Sequence, residues 1–261
     1  MEENFELSLD KVTGGSEATE AVLQDALGAV TTYVDIVFCI DCTGSMAPII
    51  DTVKDLTLGF YDDLIKTMAD TYQRRVETLR VKVIAFRDYY CDGNRAMQES
   101  KFFKLPEEKK LFHDFVASLE AIGGGDEPES ALEAMALAMK SDWVKVSDLN
   151  KEKARNAIVI FTDASAHPLE KASGGVSEYY PKDMLKSYNE LYEAWCGQGV
   201  PAYSMNKDAE RLVIFAPEDS YPWSEMAEEI DYAAVVPIKA ACGGSELGRE
   251  TIISTISGSM R

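Results

Sequence analysis

The sequence is short of basic residues, of histidine and of long apolar runs, and each shortage excludes a class of protein. Lys and Arg total 26 against 45 Asp and Glu, which gives the 261-residue chain a formal net charge of −19. Because phosphate groups and anionic membrane surfaces both attract a surplus of Lys and Arg, we expect neither nucleic acid nor a membrane as a partner. Two histidines leave few ways to build a Ser-His-Asp site.

Targeting and cross-linking signals are also missing. The longest apolar run, residues 34–40, has about seven residues, against the ~18 or more of a membrane-spanning helix. Residues 1–10 are acidic and lack the basic-then-apolar layout of a secretory signal. Five cysteines are an odd number, and no Asn-x-Ser/Thr acceptor occurs. We therefore expect a cytoplasmic protein with reduced thiols and no disulfide framework.

What is present is the composition of a folded protein, with 46% hydrophobic and 27% charged residues. Apolar runs at 34–40, interrupted only by Asp35, and at 157–161 are typical of strands that are buried on both faces. Such runs alternate with amphipathic segments, which predicts an α/β fold. We expect a doubly wound, mostly parallel central sheet with one antiparallel edge strand and helices on both faces. The predicted organisation is an acidic lead-in, residues 1–32, followed by one domain, residues 33–261.

The periodicity of apolar residues and the positions of Pro and Gly predict the individual elements. Strands are predicted at 34–40, 81–86, 101–105 (the short edge strand), 157–161, 201–205, 212–216 and 234–238. Helices are predicted at 17–30, 45–69 and 106–119, from Pro128 onward, in a segment ending at Cys196, and at 222–230 and 245–257.

Oxygen-bearing side chains follow the most apolar strands. Asp41, Thr43 and Ser45 stand at alternate positions after the first run, and Gly44 permits a sharp turn between them. Asp163 follows the run at 157–161. Ligands of parallel α/β sheets bind beyond the carboxyl ends of the strands, so these side chains are candidates for one shared site.

A third acidic position, Asp126, follows three glycines and precedes a helix. Three carboxylates and two hydroxyls match a hard divalent cation, since Mg²⁺ takes oxygen ligands at about 2.1 Å in octahedral geometry. Each residue alone has a plainer interpretation. Asp41 and Thr43 are also good helix caps, Asp163 a good loop cap, and three glycines a simple turn. Their joint placement after the right strands favours a site for Mg²⁺ or Mn²⁺.

Residues 34–46, VDIVFCIDCTGSM, resemble the opening of the von Willebrand factor type A (VWA) domain. The metal-ion-dependent adhesion site of that family has the pattern Asp-x-Ser/Thr-x-Ser, matched by Asp41, Thr43 and Ser45, and a later Thr-Asp, matched at 162–163. The phrases GGGDEPE at 123–129 and AFRD at 85–88 resemble the bacterial and atypical-kinase-associated branch. The resemblance covers about residues 33–261. It implies a Rossmann-like fold with Asp126 as a further member of the site.

The resemblance also implies a function, namely a non-catalytic, metal-dependent protein-interaction module in a regulatory or stress-response complex. The implied partner is a protein that offers an acidic or other oxygen ligand, such as a kinase, a phosphatase or an AAA-type ATPase. Asp126 stands where adhesion receptors of the family have Thr, and it binds the ion either directly or through water. Three carboxylates would leave a net charge of about −1 on the occupied site, so a partner with a basic rim is favoured.

Five residues are predicted to border the site: Gly44, Arg87, Asp88, Glu127 and His167. For Arg87 and Asp88 the alternative is an ion pair that closes a strand end. For His167 the alternative is a loop histidine without a ligand role.

Two other interpretations are less favoured. Cys39 and Cys42 have a C-x-x-C spacing, but Cys39 lies inside a strand-like run, which favours ordinary buried cysteines. A Mg²⁺-dependent phosphatase of the haloacid dehalogenase type also has an Asp after its first strand. Its general acid is a second Asp two residues later, where this chain has Thr43. The sequence has no GxGxxG, Walker or HExxH motif.

Overall fold

The computed structural model describes residues 31–125, 127–145, 153–174, 176–200, 203, 205–239 and 247–261. The predicted helix at 17–30 and the predicted ligand Asp126 lie outside these residues. The chain divides into two compact units between Val30 and Thr31. The elements described below belong to the second unit. The first strand begins at Thr31, so it takes up the last two residues of the predicted lead-in, 1–32.

The described residues form seven strands and six α-helices. In chain order they are β1 Thr31–Asp41, α1 Ala47–Tyr72, β2 Arg75–Phe86, β3 Met97–Glu99, β4 Phe103–Leu105, α2 Lys109–Ala117, α3 Ala131–Met139, β5 Lys153–Phe161, α4 Tyr188–Trp195, β6 Glu210–Ala216, α5 Trp223–Glu229, β7 Ala233–Pro237 and α6 Arg249–Ser259. None of the described helices is long and apolar enough to cross a bilayer.

Most predicted elements are confirmed, with shifted ends. The largest shift is in β2, which begins at Arg75 rather than at residue 81, because its first half alternates between exposed and half-buried side chains and has no apolar run. The predicted strand at 201–205 is wrong at its two described residues, Tyr203 and Met205, which lie in no strand. The Tyr203 N–H donates to the Val200 carbonyl at 3.0 Å, so the chain turns there instead of extending.

The seven strands form one mixed, mostly parallel sheet with the path β3-β2-β1-β5-β6-β7. β1 pairs in parallel with β2 and β5, and β6 pairs in parallel with β5 and β7. The prediction of a single antiparallel edge strand is wrong in number, because β3 and β4 both pair antiparallel with β2. Ser100 separates them. Its Oγ, rather than a backbone carbonyl, accepts the Val83 N–H at 2.9 Å.

Two apolar clusters cover the sheet. Alternate residues of β1 belong to different clusters, with Ile36 and Phe38 in one and Val37 and Cys39 in the other. The first cluster contains residues of α1, α2 and α6, and the second contains residues of α3, α4 and α5. Since successive side chains of a strand point to opposite faces, residues 36–40 of β1 are all apolar because both faces of the strand are covered.

A buried carboxyl stands at the other end of the sheet from the predicted site. Glu210, the first residue of β6, is 2% exposed, and its Oε2 has no hydrogen-bond partner among the described residues. Burial raises its pKa to about 8, against the opposing effects of Lys207 and Arg211. The pKa is therefore higher in the folded chain than the value of about 4.3 in an unfolded one. Stability associated with Glu210 is complete below about pH 4 and is lost as the pH rises to about 8.

We expect Glu210→Gln to raise the free energy of unfolding by about 1–3 kcal/mol at pH 8 and by much less at pH 5, because it removes a carboxylate that is costly to bury. Urea denaturation at the two pH values measures the difference. Glu218→Gln, at an exposed position, is the control and should change little at either pH. An equal gain at pH 5 and pH 8 would contradict the explanation.

Candidate functional site

The predicted site lies at the carboxyl ends of two neighbouring parallel strands. Asp41 is the last residue of β1, and Thr162 and Asp163 directly follow β5. β1 and β5 are paired up to Ile40 and Phe161, so the two loops leave the sheet side by side. The fold thus brings together residues that are more than 100 positions apart.

Asp41 is fully buried, and both of its carboxylate oxygens accept hydrogen bonds. Oδ1 accepts from the Thr43 backbone N at 2.9 Å and from Thr43 Oγ1 at 2.7 Å, and Oδ2 accepts from Thr162 Oγ1 at 2.7 Å. Burial raises the pKa of Asp41 to about 6, although these hydrogen bonds lower it, and nearby Asp163 adds to the increase. Two neighbouring buried carboxylates are the environment that a cation would stabilise.

Ser45 connects this group to the second loop. Its Oγ donates to Asp163 Oδ1 at 2.9 Å and lies 3.5 Å from Thr43 Oγ1. Thr43 and Asp163 are buried, whereas Ser45 and Gly44 are exposed. Side-chain oxygens of Asp41, Thr43, Ser45 and Asp163 therefore form one continuous series of contacts that reaches solvent at Ser45.

The spacing of these oxygens suits a divalent cation. Two ligands at right angles on Mg²⁺, each about 2.1 Å from the ion, lie about 3 Å apart. The oxygen–oxygen contacts in the series are 2.7, 3.5 and 2.9 Å. Carboxylates and hydroxyls are also the ligand types that Mg²⁺ and Mn²⁺ prefer. Asp41, Thr43, Ser45 and Asp163 thus fit such an ion, in exchange for the hydrogen bonds they now make.

The carboxylates of the described residues do not by themselves complete a metal site. The part of the chain that the structure describes contains no group of three or more His, Cys, Asp or Glu side chains placed to hold a metal ion. The remaining predicted ligand, Asp126, lies outside that part. The described donors are therefore two carboxylates and two hydroxyls.

The glycine-rich loop is paired with the β1 loop through the backbone. The Gly44 N–H donates to the Gly123 carbonyl at 3.2 Å, and the Ile122 N–H donates to the Cys42 carbonyl at 3.0 Å. Gly124 has φ +70°, and a Cβ there would stand 2.8 Å from Thr43 Cγ2. The glycine is needed because the loop approaches Thr43 too closely for any side chain.

Arg87 forms hydrogen bonds with the backbone next to the glycine-rich loop. Its guanidinium is buried and donates to the carbonyls of Ile122 at 2.7 Å, Glu120 at 2.7 Å and Arg95 at 3.0 Å. Its hydrogen bonds therefore go to backbone around the site and not to the predicted metal ligands. Among the described residues Arg87 and Asp88 form no ion pair, so the alternative interpretation is wrong as well, and Arg87 instead holds backbone carbonyl groups.

Asp92, which the sequence analysis missed, holds the same loop. Its buried Oδ2 accepts from the Gly124 N–H at 2.9 Å and from the Asp88 N–H at 3.3 Å. Little in the sequence indicates this role of Asp92, because an Asp before a glycine such as Gly93 is typical of any turn. Only the folded chain shows that it joins the turn after β2 to the glycine-rich loop.

Asp88 and His167 form a buried pair. Asp88 Oδ1 accepts from the Tyr90 N–H at 2.9 Å and lies 3.3 Å from His167 Nε2. Burial alone would raise the pKa of Asp88, but its contacts with His167, Tyr90 and Cys91 lower it below the usual value. The His167 ring packs on Tyr90, with centroids 4.4 Å apart, and its Nδ1 lies 3.3 Å from Lys171 Nζ. His167 is thus enclosed rather than exposed over the site.

The segment 127–129 joins the glycine-rich loop to the loop that carries Asp163. Glu127 is exposed, and its Oε1 accepts from the Ser165 N–H at 2.7 Å. Glu129 N–H donates to the Ser165 carbonyl, and His167 N–H donates to the Glu129 carbonyl, both at 2.9 Å. Glu129 itself is 5% exposed and is not among the predicted site residues. The sequence feature that could have identified Glu129 is its position in the phrase GGGDEPE.

The two cysteines of the C-x-x-C spacing do not form a pair. Cys39 and Cys42 are free and buried, and they belong to different apolar clusters. Burial raises the pKa of the Cys42 thiol to about 12 and raises that of Cys39 further. Both therefore stay protonated, as expected of ordinary buried cysteines.

No family model matches the chain. Over 148 residues, 57% of this chain, it is 26% identical to the alpha-protein kinase vwkA of Dictyostelium discoideum. The match spans 21% of that kinase, about a fifth of its length.

Two kinds of solved structure are similar at low identity. The pilus adhesin SpaC from Lactobacillus rhamnosus GG is 11% identical, with a TM-score of 0.47, over 88% of this chain and 30% of the adhesin. Proximal thread matrix protein 1 from the mussel byssus is 14% identical, with a TM-score of 0.45, over 87% of this chain and 47% of the matrix protein. At these levels of likeness, the functional conclusion depends on the site's own geometry.

Proposed function

We propose that the chain contains a VWA-type domain that binds Mg²⁺ or Mn²⁺ at the ends of β1 and β5 and recognises a protein partner through the bound ion, without catalysis. The observation that carries the proposal is the continuous series of oxygen contacts from Asp41 through Thr43 and Ser45 to Asp163. The series reaches solvent at the exposed Ser45. An ion held there would have both protein ligands and access to a partner.

The strand path supports a doubly wound, Rossmann-like arrangement. From β1 the chain passes to β2 on one side, and β5, β6 and β7 follow on the other side. The strand order thus changes direction between β1 and β5. In α/β sheets, ligands bind at such a switch point, outside the carboxyl ends of the strands. Asp41 and Asp163 stand on its two sides.

The proposed partner is a cytoplasmic protein with an oxygen ligand inside a basic rim. With a net charge of −19, the chain would steer a positively charged surface toward itself, at a rate that falls as salt rises. When bound, the ion would supply a coordination position for the partner's oxygen. The partner classes to be tested are a kinase, a phosphatase and an AAA-type ATPase.

We expect the purified chain, freed of metal with EDTA and then dialysed, to bind one Mg²⁺ or Mn²⁺ in isothermal titration calorimetry. Asp163→Asn should weaken this binding at least tenfold, because it removes a carboxylate next to Ser45. Asp208→Asn, which changes an exposed carboxyl in the loop before β6, is the matched control and should bind like the wild type.

Two results would count against the proposal. If the wild-type chain showed no saturable binding of Mg²⁺ or Mn²⁺, the proposed metal site would be excluded. Turnover of phosphoesters with Mg²⁺, abolished in an Asp41→Asn variant, would assign the site to the phosphatase class instead.

A further inference from the structure

We propose that Glu129 is a further anionic member of the cation site, acting on the ion through a bound water, so that the ion is resident before any partner arrives. This inference rests on the proposed function. It concerns a residue two positions before α3, outside the pattern Asp-x-Thr-x-Ser and outside the Thr-Asp pair.

The Glu129 carboxyl lacks the partners that a buried charge requires. The residue is 95% buried, and its Oε2 has no hydrogen bond among the described residues. Burial is the main reason why its pKa is raised, to about 9, and the carboxyl groups of Asp41, Asp88, Asp92 and Asp163 all add to the increase. Because Glu129 Oε2 has no hydrogen-bond donor among the described residues, a proton or a cation is what would stabilise this carboxyl group among the others.

The Glu129 carboxyl also points toward the loop that carries Thr43. A Cβ added to Gly124 would stand 2.9 Å from Glu129 Oε1 and 2.8 Å from Thr43 Cγ2, so both side chains lie against the same glycine. The Glu129 backbone is held by Ser165 and His167, on the loop that begins with Asp163. Its carboxyl is therefore placed between the Thr43 loop and the Asp163 loop.

Glu133, one turn later in α3, provides an internal comparison. It is fully buried, and its Oε2 also lacks a partner among the described residues. Its Oε1, however, accepts from Tyr180 OH at 3.1 Å, and the charged neighbours that shift its pKa are His167 and Asp88. Glu133 thus belongs to a different network, although its burial and chemistry are the same.

The charge balance explains why the ion would be resident. With Asp41 and Asp163 beside the ion and Glu129 acting through a water, the three negative charges outweigh the charge of one divalent ion. The site then needs no carboxylate from a partner to neutralise the ion. It remains anionic when occupied, in keeping with a partner that brings a basic rim.

The test compares Glu129→Gln with Glu133→Gln in the full chain, using MnCl₂ alone as the probe. We expect Glu129→Gln to bind Mn²⁺ at least tenfold more weakly by calorimetry. In EDTA its melting temperature should be no lower than that of the wild type, because a buried carboxyl is removed, while the rise on adding Mn²⁺ should shrink. Glu133→Gln should keep the wild-type Mn²⁺ affinity, and Glu129→Asp, which keeps the charge, should bind more tightly than Glu129→Gln.

Three outcomes separate the possibilities. Equal Mn²⁺ affinity of Glu129→Gln and the wild type would overturn the inference and leave the proposed function intact. An equal loss in Glu133→Gln would overturn it as well, since the effect would then come from any buried carboxyl near the start of α3. If the wild-type chain binds no Mn²⁺, the proposed function itself fails.

Discussion

Asp41→Asn is expected to abolish the binding of Mg²⁺ and Mn²⁺, with a loss of affinity of about a hundredfold or more, equivalent to ~2.7 kcal/mol or more. The two carboxylate oxygens of Asp41 contact both loops of the site, through Thr43 and Thr162. The Asn side chain keeps the shape but has one acceptor oxygen and no charge. Calorimetry with MnCl₂ measures the loss, and Asp208→Asn serves again as the control.

The fold should survive this substitution. The pKa of Asp41 is raised to about 6 by burial, so its negative charge destabilises the metal-free folded chain at pH 7, by about 2–3 kcal/mol from the shift alone. Removing the charge offsets the weakened hydrogen bonds to Thr43 and Thr162. We therefore expect the metal-free variant to unfold within about 1 kcal/mol of the metal-free wild type. A large loss of stability would mean that the loss of metal binding reports on folding instead.

The same variant tests metal-dependent recognition. Proteins captured from the native cell by the wild-type chain should be released by EDTA and should be missing from the Asp41→Asn sample. Their association rate should fall as salt rises, because the chain carries a net charge of −19. Partners that remain equally in the wild-type, EDTA-treated and Asp41→Asn samples would exclude recognition through the ion.

Arg87→Met is expected to cause the largest loss of stability, about 3–5 kcal/mol. The buried guanidinium makes three hydrogen bonds to carbonyl oxygens, and hydrogen bonds to charged groups are worth about 1.5–3 kcal/mol each. Methionine fills part of the space but leaves the carbonyls of Ile122, Glu120 and Arg95 without their donor. Mn²⁺ affinity should fall about tenfold as well, because the loop that these bonds hold packs against Thr43.

Urea denaturation and calorimetry measure the two effects of Arg87→Met. Arg95→Met is the matched control, since the Arg95 side chain is 58% exposed and lies 3.6 Å from Asp92 Oδ1. The Arg95 guanidinium is largely solvated although Asp92 is buried, so we expect the pair to contribute about 1 kcal/mol or less. Similar small losses in both variants would contradict the positioning role of Arg87.

Part of the site was predictable because its residues follow strands that are apolar on both faces. The run at 34–40 is confirmed as the centre of β1, and the run at 157–161 as the end of β5. The residues after such strands lie at one edge of a parallel sheet. The sequence alone therefore predicts that Asp41 and Asp163 lie close together. The first half of β2 was missed because its alternating exposure leaves no apolar run.

Glu129 and Asp92 were missed for a different reason. Both are acidic residues in turn-rich segments, where most carboxylates are solvated. Their burial depends on loops from distant parts of the chain. Asp92 accepts a hydrogen bond from Gly124, 32 positions away, and the backbone of Glu129 pairs with that of Ser165 and His167. Arg87 could be noticed in the sequence, but not which carbonyl groups it holds.

The sequence by itself therefore determined the α/β class, most of the strands and helices, and the pattern Asp41, Thr43 and Ser45. These properties depend on periodicity and on residues a few positions apart. Only the tertiary structure decided that two short strands share the edge beside β2, that Ser45 meets Asp163, and that Glu129 is buried among four other carboxylates. The physical reason is that burial and electrostatic neighbours are set by the packing of loops, which local sequence patterns do not encode.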